Sequence, residues 1–276
     1  MRKNIFRIIA LMVLPLYARG TFYYVDGENG DDSNNGESVS SAFASIKICF
    51  NALANPGDEC QIRGGRYHQS EFQISGKRGS SSKPIIIRGY KEEIPIIDGT
   101  IPLKPIGNSA WKRTKDGIYM AKIEQDVWQL FVDGDMMTNA RWPNALWSDR
   151  TIFLNKHWAK SAKSSTRGKM VDSGAKNLAG SGLNATGAMA ILNIGSFNTF
   201  AAIVEDHAPG QNFFTYPDTF GDINFKASHN QYFLEDKLEF LDQAGEWFYD
   251  KNTKTLYVKT LDGKSPEGRI RGKVEE

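Results

Sequence analysis

The strongest constraint on this chain lies between Ala54 and Thr100, where four short strand-like runs alternate with turn-forming residues. The runs centre on Gln61–Arg63, Phe72–Ile74, Pro84–Arg88 and Pro95–Ile97, punctuated by Gly64-Gly65, Gly76–Ser82 and Gly89–Glu93. Ile62 and Ile86 are 24 positions apart, and Ile74 and Ile97 are 23 apart. Two strands that recur together at a near-constant interval mark a solenoid turn, which cannot bury its apolar face alone and must stack on the next. Short β-runs with sharp polar corners predict a right-handed parallel β-helix. An ordinary β-meander is the plain alternative.

The rest of the 276 residues allows one or two domains. The 26 glycines, many beside turn formers, favour numerous short strands over long helices. At the N-terminus, Arg2, Lys3 and Arg7 precede an apolar run from Ile8 to Leu16 that is too short to anchor in a bilayer, and small residues follow at Ala18 and Gly20. This pattern predicts a signal peptide over residues 1–20 and a secreted or periplasmic protein. A retained anchor or lipoprotein is disfavoured because no Cys follows the apolar run. Removing residues 1–20, which hold Arg2, Lys3, Arg7 and Arg19 and no acid, takes the formal charge from +2 to −2. Nothing in that balance favours nucleic acid, and no membrane association is expected once the signal is cleaved. In an exported protein the two cysteines, Cys49 and Cys60, suit a disulfide; two buried thiols are the alternative.

Taken in order, Phe22–Val25 reads as a first strand. Asp26–Ser38 follows as a polar loop whose Asp26, Glu28, Asp31, Asp32 and Asn34 offer oxygen ligands of the kind Ca²⁺ takes. The spacing is not that of an EF-hand, so a solvated Asn/Gly turn is the plainer reading, and no other cofactor is implied. Ser45 reads as an N-cap, with Ile46, Cys49, Phe50 and Leu53 on one helix face and Asn55-Pro56-Gly57 as the stop. Such a helix would cover the open end of a solenoid, and Cys49 would staple it to Cys60 in the adjoining strand. Beyond Lys104 the interval disappears. Residues 105–271 show hairpins at Trp111–Ile123 and Gly245–Thr260, a strand at Trp128–Val132 ending in Asp133-Gly134, and further strands at Ala188–Ile194, Phe200–Glu205 and Gln231–Leu241. Lys160–Asn184, rich in Gly, Ser and Lys, reads as a long mobile surface loop.

Several of these stretches resemble known proteins. FYYVDG with GDDSNNG, FASIKICFNAL, NPGDECQIRGGRYH, SSKPIIIRGY and IPIIDGT together resemble the start of secreted, carbohydrate-active right-handed parallel β-helix proteins. WQLFVDGDMMTNARWPN and YFLEDKLEFLDQAGEWFYDKNTKTLYVKT resemble a β-sandwich inserted after the first helical turns in some glycoside hydrolases of that type. The resemblance implies an all-β chain: capped first β-helix turns over residues 21–104, an inserted β-sandwich-like module over 105–271, and a return toward the β-helix at 272–276. In those families the later turns carry the catalytic carboxylates. The expectation is therefore the N-terminal part of a polysaccharide-degrading glycoside hydrolase without catalytic residues of its own. A non-catalytic glycan-binding or adhesion segment is the alternative, and a polysaccharide lyase the third choice.

Hydrolysis of a glycosidic bond needs two facing carboxyl groups. Asp98, Asp133, Glu205, Asp206 and Glu235 are available and none is privileged by sequence. Arg63, Arg66 and Arg88, near strand ends, would line a groove or serve as ion-pair partners. His68, His157, His207 and His229 are scattered. Sugar binding leaves a clearer trace, aromatic rings beside polar forks, because an indole offers an apolar face with a donor at its edge. Arg141-Trp142-Pro143-Asn144, followed by Trp147 and His157-Trp158, forms the best such patch, though Trp142 would also pack the module and Trp147 fill a core. Arg141, Trp142, Asn144 and Trp158 are the expected substrate-binding residues, with a polysaccharide or oligosaccharide as partner.

Overall fold

The computed structural model describes residues 20–68, 75–195 and 198–274. The expected signal peptide, Gly20 apart, and the expected run at Phe72–Ile74 lie outside the described residues. Strands far outnumber helices in the described chain, which forms two compact units that divide between Gly99 and Thr100, a few residues before the expected boundary at 104. No helix among the described residues is long and apolar enough to cross a membrane.

In the first unit, strands Phe22–Val25, Glu59–Ile62 and Ile86–Gly89 form one parallel sheet, and Gly65–His68 pairs in parallel with Pro95–Asp98 in a second. Two successive stretches of chain thus each give a strand to each sheet, joined by a corner at Arg63-Gly64 and another at Tyr90–Ile94. The repeat is longer than the isoleucine spacing suggests, because Ile62 lies opposite Gly89 rather than Ile86. The corners are stacked by charge. Arg63 Nε donates to Glu93 Oε2 at 2.8 Å and Nη1 to Asp26 at 3.1 Å, while the Gly64 N–H donates to Glu93 at 2.7 Å.

Helix Ile46–Ala52 begins where Ser45 Oγ accepts the Ile48 N–H. Ile46, Cys49, Phe50 and Leu53 are all buried, against Val25, Cys60, Ile62 and Tyr67. Cys49 and Cys60 are bridged, with Cα atoms 6.1 Å apart. Asp58, fully buried, fastens the return to the sheet by accepting the N–H groups of Thr21, Ala54 and Asn55.

The second unit begins with strand Ile101–Pro102, which pairs with Ile270–Val274; that strand pairs in turn with Val127–Val132 in a four-stranded sheet. The hairpin after Val132 turns at Asp133-Gly134, both at positive φ (54° and 90°), a conformation that favours glycine. A five-stranded sheet is built from Thr138–Asn139, Glu246–Asp250, Thr255–Lys259, Tyr119–Lys122 and Lys112–Arg113. Leu130, Val132 and Ile270 of the first sheet share a core with Tyr119, Trp247, Leu256 and Val258 of the second. A third sheet, of Arg141–Trp142, Gln231–Glu235, Met189–Asn193 and Thr199–Ile203, buries Leu234, Ala190 and Leu192 against Phe214, Tyr216 and Met170.

Gly272, Lys273 and Val274 lie in an interior strand of the four-stranded sheet. Gly272 disguised that strand, yet it is there because a Cβ would approach Leu103 Cδ1 to 2.8 Å. One sequence expectation needs correction: Lys160–Asn184 is not a loose loop. Lys169–Val171 pairs with Phe213–Thr215, Met170 and Leu178 are fully buried, and Asp172 accepts the Tyr232 hydroxyl at 2.9 Å. Two apolar anchors in a polar stretch are enough to seat it.

Candidate functional site

Between Met137 and Trp142 the chain leaves one sheet and enters another. Thr138–Asn139 runs parallel to Glu246–Trp247, and one residue later Arg141–Trp142 runs antiparallel to Leu234–Glu235. Ala140, fully buried, is the pivot: its N–H donates to Trp247 O and its C=O accepts the Asp236 N–H. A small side chain is what this crowded crossing admits. A groove of about 370 Å³ opens there, lined by Trp128, Trp147, Trp158 and Trp247 with Phe153 and Phe233. Trp128 and Phe153 are 58% and 66% exposed, so large apolar faces meet solvent. The turn carrying Trp147 and Phe153 is held by Asp149, which accepts from Thr151, and by the Trp147 N–H donating to Thr138 Oγ1 at 3.0 Å. A further hollow of about 330 Å³ shares Trp128, Asn139 and Trp247 and continues toward Lys251.

The polar residues of the groove are Arg141, Asn139, Gln129, Glu235 and Thr138. Arg141 is 1% exposed. Its Nε donates to Pro143 O at 2.9 Å and its Nη2 to His157 O at 3.2 Å, its guanidinium carbon sits 3.8 Å from the Phe233 ring centre, and its Nη1 has no protein partner. Burial lowers its pKa to about 10, against the opposing pull of Glu235 and Glu246, and the guanidinium stays charged at neutral pH. Glu235 lies directly across the strand pair from Arg141; burial raises its carboxyl to about 7, partly offset by Arg141. Glu246, fully buried, is pushed by burial to about 8, and its Oε2 accepts the N–H groups of Asp242 and Gln243.

Of the four expected binding residues, Arg141 and Trp158 line the groove and the other two do not. Trp142 packs toward the third sheet's core with its ring 6.2 Å from that of Tyr232, because successive strand residues point to opposite faces and Arg141 takes the groove side. Asn144 lies beyond a cis Trp142-Pro143 bond and donates to Asp242 Oδ1 at 2.8 Å. Sequence alone missed Trp128 and Asn139 as neighbours of Arg141, though it had Trp147 in the same patch, and it had no means of choosing Glu235. The one usable signal was the alternation of Tyr232 and Leu234 with Phe233 and Glu235, which puts the latter two on one face.

Several of the other candidates are engaged in structure. Arg88 pairs with Glu59 at 2.6 Å and Arg66 with Asp98 at 2.5 Å, and Asp133 pairs with Arg269. In the Asp26–Ser38 loop, Asp26 accepts the N–H groups of Glu28 and Asn29, Asp31 that of Ser33, and Asp32 those of Ala44 and Ser45. Among the described residues no group of three or more His, Cys, Asp or Glu side chains is placed to hold a metal ion.

No protein-family model matches the chain, and no curated protein matches it. Among solved structures it is similar to one described as a glycoside hydrolase, with a TM-score of 0.62 and 17% identity over 91% of this chain and 45% of that one. Weaker likenesses are to XylC in its complex with xylose (TM-score 0.42, 12% identity, 93% of this chain and 32% of that one) and to a GH136 lacto-N-biosidase from Eubacterium ramulus (TM-score 0.26, 23% identity, 32% and 15%). The first likeness shows a glycoside-hydrolase-like fold along most of this chain, which spans less than half of that structure's length.

Proposed function

We propose that this chain is the N-terminal part of an exported, polysaccharide-degrading glycoside hydrolase: two turns of a right-handed parallel β-helix capped by helix Ile46–Ala52, followed by an inserted β-sandwich module that binds glycan. The paired parallel strands of the first unit and the fold likeness to a glycoside hydrolase support the architecture. Ile94, Ile96 and Ile97, at 77%, 47% and 57% exposure, are what the last turn of a solenoid presents when another turn is to stack on it.

The observation that carries the binding role is the aromatic groove around Arg141. Its Trp faces match pyranose rings, and the Arg141 Nη1 donor, buried and without a protein partner, is suited to a sugar oxygen. Glu235 is its one carboxyl, whereas hydrolysis needs two facing one another. The second reading, a glycan-binding segment with no catalytic partner, rests on that same single carboxyl.

Residues 21–276, titrated with neutral oligosaccharides of the xylan, mannan and β-glucan types, should show saturable tryptophan quenching with at least one of them. Trp128→Ala, at an exposed position, should weaken that binding about tenfold, roughly 1.4 kcal/mol. No reducing sugar should be released. Unchanged binding in the variant would remove the groove from the proposal, and robust release by this chain would show that it carries its own catalytic pair.

A further inference from the structure

Trp158 has a second role. Besides the Arg141 groove it lines a separate cavity of about 490 Å³, a volume suited to one or two sugar rings. Its ring is held edge-on to Phe233, with centroids 4.7 Å apart, which leaves little freedom to a platform that serves both hollows.

The other side chains around this cavity are of a different kind from those of the groove. Among the described residues four are carboxamides, Asn155, Asn193, Asn230 and Gln231, two are basic, Lys226 and His229, and none is a carboxylate. Asn193 and Gln231 lie directly opposite one another on neighbouring antiparallel strands, so both project from one face of the sheet. Asn230 is 3% exposed and is tied in place by its C=O, which accepts the Ser161 N–H at 3.0 Å. Its Nδ2 has no hydrogen-bond partner in the protein. A buried donor left so costs about 1–3 kcal/mol, and a ligand oxygen would recover that. The Arg141 groove sets Glu235 beside its cation, whereas Lys226 has no acid beside it among the described residues that line this cavity.

We propose that this cavity is a binding subsite for an acidic pyranose, a uronate unit of a glycan. Lys226 supplies the counter-charge to the carboxylate, Asn230 Nδ2 donates to a ligand oxygen, the amides of Asn193 and Gln231 meet ring hydroxyls, and the Trp158 indole carries the ring. The proposal rests on the carbohydrate reading above. It adds a second subsite joined to the first through Trp158, selective for an acidic sugar where the groove takes neutral ones.

The test is titration of residues 21–276 with sodium glucuronate and sodium galacturonate, followed by NMR. Glucose and galactose serve as neutral twins and sodium acetate as a plain anion. Both uronates should bind about tenfold more tightly than their neutral twins, and acetate should not compete. Lys226→Met, at an exposed position that leaves the fold alone, should weaken uronate binding by roughly fivefold or more, and added salt should do the same. Asn193→Ala should weaken uronate and neutral sugar alike. Equal binding of the neutral twins, competition by acetate, or an unchanged Lys226→Met variant would each overturn the uronate assignment. Trp128→Ala separates the two proposals. If it abolishes neutral oligosaccharide binding while uronates show no preference, the groove stands and this subsite falls. If no saccharide of either kind binds, both fall.

Discussion

Arg141 heads the largest fully buried side chains among the described residues, and its neighbours show how a charge is kept inside. Two backbone carbonyls and the Phe233 ring take most of its guanidinium, with Glu235 and Glu246 nearby. Both acids are raised by burial, to about 7 and about 8 from an ordinary 4.5. A carboxyl raised in this way binds its proton more tightly folded than unfolded. Its contribution to stability is therefore fully present below pH 4.5 and is lost as pH rises through about 7 for Glu235 and about 8 for Glu246. The slope is at most about 1.4 kcal/mol per pH unit for each group. Glu246→Gln keeps an acceptor for the Asp242 and Gln243 N–H groups and removes the titration. Melting temperature measured from pH 5 to pH 8.5 should fall in the wild type and fall less in the variant, which should be the more stable of the two at the alkaline end. Parallel curves for the two proteins would show that Glu246 is not linked to folding.

At the scale of elements, the first unit depends on a seven-residue helix that is too short to be stable by itself. Its buried face and the Cys49–Cys60 bridge hold it against the sheet. In the chain-entropy account a bridge closing so short a loop contributes about 2–3 kcal/mol. The double variant Cys49→Ala/Cys60→Ala should lower the stability of the first unit by about that amount, read as a shift in urea midpoint, and reductant should mimic it in the wild type. A midpoint unmoved by both would mean that apolar burial alone seats the helix. The exposed Ile94, Ile96 and Ile97 bear on the same unit: among the described residues Pro95–Asp98 is paired only with Gly65–His68, and an open edge invites association.

For the whole molecule, the informative fact is that the second unit closes on itself. Its first strand, Ile101–Pro102, pairs with its last, Ile270–Val274, and the core shared by their sheet and the five-stranded sheet comes entirely from residues after Thr100. A unit whose termini meet in this way can be excised. Residues 100–276 expressed alone should fold, melt cooperatively, and retain oligosaccharide binding within about twofold of the longer chain, which additivity of independent units implies. An unfolded product would show that the first unit is needed to form the second.

The sequence by itself determined the local elements. The helix face of Ile46, Cys49, Phe50 and Leu53, the hairpins at Asp133-Gly134 and within Gly245–Thr260, and the strand Phe22–Val25 follow from periodicity and turn chemistry acting over a few residues. Arg141 and Trp158 were named because aromatic rings there lie beside polar side chains, in Arg141-Trp142-Pro143-Asn144 and His157-Trp158. Tertiary structure decided which residues meet. Trp142 left the groove because alternation along a strand sends neighbours to opposite faces; Glu235 entered it because one antiparallel register sets it across from Arg141. Trp128 and Trp247 arrived from two different sheets. The polar stretch 160–184 became structure because Met170 and Leu178 found a core, and Gly272 became part of a strand because Leu103 occupies the space of its missing side chain. Each of these depends on contacts between residues far apart in the chain, and a pattern read over a short window carries no information about them.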